Sequence, residues 1–126
     1  MLSFRGALKE LYLDAKEKYN IKKAPKVILR QDENNARKMF SRTAFYSPSE
    51  QKIVLFITNR HPKDILRSFC HEMIHHIQNE RGDLEMGNAS NPKYAQEDNH
   101  MRKMEMEAYL KGNMLLRDFE DNFKYE

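Results

Sequence analysis

The sequence predicts an α+β domain, and three observations carry that reading. Apolar residues recur at helical spacing near the N-terminus. Three short runs rich in β-branched and aromatic residues follow, separated by turn-forming residues. The second half of the chain then carries two long amphipathic patterns. The expected arrangement is one helix, a small antiparallel or mixed three-stranded sheet, and two helices packed on each other.

Taken in order, Phe4, Leu8, Leu11, Ala15 and Tyr19 share one face of a first helix expected from about Ser3 to Lys18. Pro25 closes the linker behind it, and Val27-Ile28-Leu29 supplies a first strand. Thr43 to Tyr46 and Lys52 to Thr58 read as two more strands, joined through a Ser47-Pro48-Ser49-Glu50 turn. The run Ile53 to Ile57 is apolar without alternation, as expected of a strand covered on both faces. Pro62 suits the first turn of a helix, Asp64 complements its dipole there, and Gly82 marks its end after about Glu80. Gly82 to Asn91 is a polar loop. Asn91-Pro92 opens a last long helix, expected to reach about Asn122.

Composition narrows the function classes. The 126 residues read as one domain, 1–126, large enough to form a core without disulfides or a structural metal. The net charge is only +3, and lysines and arginines are spread through the sequence and mixed with acids, so the concentrated basic patch of a nucleic-acid binder is not expected. Cys70 is the single cysteine, which points to a reducing, cytoplasmic setting. The longest apolar run is far too short to cross a bilayer, and no membrane association is expected.

The chemistry is concentrated in His71-Glu72-Met73-Ile74-His75. On a helix, positions i and i+4 are about 400° apart, so both imidazoles leave the same face one turn apart. Two neutral ring nitrogens at that spacing can share a Zn²⁺, and the adjacent Glu72 can act as general base towards a water on the metal. The expectation is a zinc hydrolase. A catalytic site of this type needs a third protein ligand, and Glu97, Asp98, His100, Glu105 and Glu107 lie downstream. With Glu105 at the origin of a helical wheel, Met101, Ala108, Gly112, Leu116, Phe119 and Phe123 fall within about 60° of it. Glu105 is therefore expected at the centre of a buried stripe, where a carboxylate is costly unless paired or bound to metal. Glu107 lies about 160° round, near Lys103, and His100 is also off that face. Glu105 is the preferred ligand and Glu107 the alternative.

These residues resemble the gluzincin zinc metallopeptidases, which pair His-Glu-x-x-His with a glutamate on a following helix. The matching segment here is Glu105-Met106-Glu107-Ala108-Tyr109. The short chain, with one helix and three strands ahead of the motif, looks like the minigluzincins, and Glu-x-Glu-Ala is similar to the ImmA/IrrE regulatory peptidases and small phage-encoded relatives. The resemblance implies a zincin-like fold, peptide-bond hydrolysis with zinc as cofactor, and His71, His75 and Glu105 as ligands. It departs from the family at Tyr109, where an Asp or Asn usually orients a zinc histidine; a tyrosine cannot supply that charge.

The mechanism so implied has Glu72 carrying a proton from water to the leaving amine, and an oxyanion donor besides the metal, for which Tyr109, Tyr94, His100 and Tyr46 are candidates. An extended peptide or protein substrate would pair with the edge of the sheet, most naturally in the Thr43–Thr58 hairpin. With no second domain to close the cleft, it is expected to be shallow, or to be completed by a partner or second copy. Two other functions share these residues: a zinc-stabilised binding or regulatory module with little turnover, and a zinc amidase acting on a non-protein amide. His76 is expected to pack against Phe69 and Ile65 or to face solvent, and Cys70 to act as a small core residue.

Overall fold

Ser3 starts the first helix by accepting the Gly6 N–H at 3.0 Å, and Asn20 ends it in the left-handed conformation, φ 56°, donating to the Lys16 carbonyl. The computed structural model describes residues 2–39, 42–84 and 94–123, except for the side chains of 94–98 and 123. In these residues the elements are α1 (Phe4–Tyr19), β1 (Lys26–Arg30), α2 (Glu33–Ala36), β2 (Ala44–Ser47), β3 (Lys52–Phe56), α3 (Pro62–Glu80) and α4 (Tyr94–Phe123). The class is α+β, as expected. The short α2 is an addition that no apolar period announces; Asp32 caps it by accepting the Asn35 N–H at 3.0 Å. The Asn91-Pro92 start expected for the last helix lies outside the described residues.

The sheet is mixed, in the order β1-β3-β2. β3 is central, parallel to β1 and antiparallel to β2, with Ala44 opposite Leu55 and Tyr46 opposite Ile53. Ile53 and Leu55 enter the core shared with the helices. Phe56 is covered by the Phe45 ring at 6.2 Å between centroids and by the Arg30 guanidinium at 5.9 Å, which is how this strand is buried on both faces. β2 is left as an edge strand beside α3. Arg60 holds it there, donating to the carbonyls of Thr43 and Phe56 and to Ser68 Oγ, each at 2.8 Å, so β2, β3 and α3 are tied at one point.

The core lies where α1, α3 and α4 meet. Ala7, Leu11 and Ala15 pack from α1, Phe69, Cys70, Met73, Ile74 and Ile77 from α3, and Ala108, Leu115, Leu116 and Phe119 from α4. Gly112 allows α3 and α4 to approach closely: a Cβ there would lie 3.1 Å from both the Cα and the N of His71. Among the described residues no helix is long and apolar enough to cross a membrane.

Candidate metal centre

His71 and His75 lie one turn apart on α3, their ring centroids 4.9 Å apart and their planes at 82°. The ligand-type atoms of His71, Glu72 and His75 all lie within 4.8 Å of one another, a grouping able to hold a metal ion. Glu105 reaches the same point from α4. Its Oε1 is 2.8 Å from His75 Nε2 and its Oε2 is 3.3 Å from His71 Nε2. The donor set fits a metal, because two ring nitrogens and a carboxylate converge within the span that an ion with ligand distances of about 2.1 Å can bridge.

Electrostatics sort these groups. Burial lowers the pKa of His71, and the neighbouring His75 lowers it further against the pull of Glu105, so the neutral imidazole that a ligand requires is favoured. Glu72 is 8 % exposed, and burial pushes its carboxyl up to about 7; His75 opposes the rise and the Glu105 charge adds to it. A dication beside it would favour the ionised form.

Glu105 is not at the centre of a buried stripe. Its side chain is 51 % exposed, and the buried stripe of α4 consists of Ala108, Gly112, Leu115, Leu116 and Phe119. The helical wheel placed its angle but not its position along the axis: Glu105 sits where α4 leaves the core and borders an open cleft. Glu107 is the more enclosed of the two and is committed elsewhere. Its carboxylate accepts from Arg81 Nη2 at 2.7 Å and from Gln78 Nε2 and Lys111 Nζ at 2.8 Å. Burial by itself would raise its pKa, but these hydrogen bonds prevail and carry it down to about 2.

The structure spends several other candidates. His100 Nε2 donates to the Asp83 carbonyl at 2.7 Å, tying α4 to the turn after α3. The Tyr46 hydroxyl bonds His76 Nδ1 at 2.7 Å and accepts from Asn79 Nδ2 at 3.0 Å. His76 is fully buried, neither solvent-facing nor held only by apolar neighbours: its Nε2 donates to the Lys23 carbonyl at 2.6 Å, so a polar network rather than Phe69 and Ile65 accounts for it. Cys70 is buried, and its thiol pKa is driven far up by that burial. The side chains of Tyr94, Glu97 and Asp98 lie outside the description. Tyr109 packs edge-on against His71, 4.5 Å between centroids, and lines the cleft.

The sequence reading missed Gln78. Its Oε1 lies 2.8 Å from His75 Nδ1, and its Nε2 donates to the Met104 carbonyl at 2.9 Å as well as to Glu107. The i,i+3 spacing from His75 was the available signal. The role of Arg60 had no local signal, because its partners come from three elements.

Two solvent-open lobes flank the histidines. One, of about 450 Å³, is lined by Thr43, Ser68, His71 and Tyr109 among others, and one of about 320 Å³ by Tyr46, Pro48, His75 and Met101; both share Ala44, Glu72 and Glu105. The cleft therefore runs along β2 and over the candidate metal ligands. No family model matches the chain, and no significant match is found among curated proteins or solved structures.

Proposed function

We propose that this protein is a zinc-dependent metalloendopeptidase with zincin-like packing, in which His71, His75 and Glu105 hold the metal and Glu72 is the general base. The carrying observation is the convergence of two Nε2 atoms on one carboxylate, at 2.8 and 3.3 Å, next to a second, buried carboxylate. An ion set between them would take a lone pair from each ring and the carboxylate charge at once. Two imidazoles and a carboxylate are a donor set that suits zinc.

When bound, zinc supplies carbonyl polarisation and an acidified water. Glu72 takes a proton from the attacking water as its oxygen bonds to the carbonyl carbon. It then delivers that proton to the nitrogen as the C–N bond breaks. Tyr109, above His71 and on the cleft wall, is the hydroxyl assigned to the developing oxyanion. The substrate is an extended peptide added to the free edge of β2, running from one lobe to the other. Its bulk, or a partner, covers the open side, where Met106, Tyr109 and Leu110 of α4 are exposed.

Zinc content by elemental analysis tests this reading. Wild type supplied with zinc is expected to hold one ion per chain, Glu105→Ala to lose it, and Glu107→Gln and Glu72→Gln to retain it. Folded wild-type protein that takes up no zinc would refute the proposal. A loaded protein with no turnover across a peptide library would favour the zinc-stabilised binding module.

A further inference from the structure

Gln78 is 0 % exposed and uses its whole amide. The two partners of its Nε2, the Met104 carbonyl and the Glu107 carboxylate, are both acceptors, at 2.9 and 2.8 Å. Turning the amide over would set Oε1 against both of them, so only one orientation is tenable. Oε1 must then face His75 Nδ1, at 2.8 Å, and the hydrogen of that contact must be on Nδ1. When the ring carries a single proton, its lone pair then lies on Nε2, the atom aimed at Glu105.

The second arm of the amide has an independent effect. Met104 immediately precedes Glu105, so the bond to its carbonyl pins the α4 backbone against α3 at the candidate ligand. Glu107, one turn further on, is fastened to Arg81 and Lys111 and keeps the amide from rotating. One buried side chain thus sets both the tautomer of one ligand and the placement of another.

We propose that Gln78 is the positioning residue of the metal centre, orienting His75 and anchored by Glu107. This rests on the metal reading above. The neutral amide orients without adding charge, and the Glu107 charge behind it is offset by Arg81 and Lys111.

The test combines nitrogen NMR of the His75 ring in metal-free protein, at a pH where imidazole is neutral, with zinc affinity by chelator competition. Gln78→Leu and the volume-matched Gln78→Met remove the amide, with Met available should Leu fail to fold. Leu115→Ala, in the same helix interface, controls for lost packing. Wild type is expected to show His75 protonated at Nδ1, and both Gln78 variants a mixture of tautomers. Their zinc affinity should fall about 10- to 100-fold, that of Glu107→Gln less than about tenfold, and that of Leu115→Ala less than about threefold. An Nε2-protonated His75 in wild type overturns the proposal, as does a Gln78 variant that loses no more affinity than Leu115→Ala. If wild type binds no zinc the metal reading falls, and the tautomer comparison still judges Gln78: a preference for Nδ1–H that its removal abolishes supports the positioning role, and an unchanged tautomer refutes it.

Discussion

Glu72, Glu105 and Glu107 are three carboxylates near one pair of histidines, and their surroundings separate them. Glu72 is buried with its pKa raised to about 7, Glu105 is half exposed and faces both Nε2 atoms, and Glu107 is held by two cations and an amide. Burial makes a carboxylate a stronger base than it is in water, and such a group beside an attacking water can take a proton and return it. Glu72→Gln keeps the shape and removes the basicity. The expected result is full zinc occupancy with kcat reduced about 10²- to 10⁴-fold, checked by elemental analysis and peptide turnover on the same sample. Equal kcat in wild type and variant would remove Glu72 from the reaction.

The crossing of α3 and α4 carries the site at the level of elements. The histidines belong to one helix and Glu105 to the other, and the helices are in close approach where Gly112 meets the His71 backbone. A Cβ at Gly112 would press on main-chain atoms, which cannot rotate away as a side chain can, so the helices would have to separate by a few tenths of an ångström. Gly112→Ala should cost about 1–3 kcal/mol of stability, even though alanine is the better helix former. It should also weaken zinc binding, because Glu105 is two turns away on the same face. Denaturant titration with and without zinc reads both effects, and a variant as stable as wild type would show that the contact is loose. On the other side of the cleft, Arg60 performs the equivalent task for β2 by tying Thr43, the residue just ahead of the strand, to α3.

For the molecule as a whole, the Glu107 cluster joins α3, the turn after it and α4, so its ionisation is linked to folding. Its carboxyl is carried from an ordinary 4.5 to about 2 in the folded chain. The native state therefore favours the ionised form, and the resulting stability is present above about 4.5 and is lost as pH falls towards about 2. Melting temperatures of wild type should drop more steeply over that interval than those of Glu107→Gln. Matching pH profiles for the two proteins would contradict this. Surface ion pairs such as Lys18–Asp118 and Lys63–Glu120 should contribute little to the slope, since water screens them.

The α+β class, α1, α3 and α4, and the turn of α3 that aligns His71 with His75 were legible in the sequence, because a period of 3.6 residues and local capping decide them. Gly82, at φ 84°, falls just past α3 where the chain leaves the helix, for the same local reason. The tertiary structure alone decided the parallel pairing of β1 with β3, the burial of His76 between Tyr46 and the Lys23 carbonyl, and the exposure of Glu105. It also decided that Glu107 is an anchor of the network rather than a polar-face residue beside Lys103, and that Gln78 bridges His75 to Met104. A helical wheel reports the direction in which a residue leaves its axis. How far along that axis the neighbouring helix stops covering it depends on contacts between residues distant in the chain, and these exist only once the helices have packed.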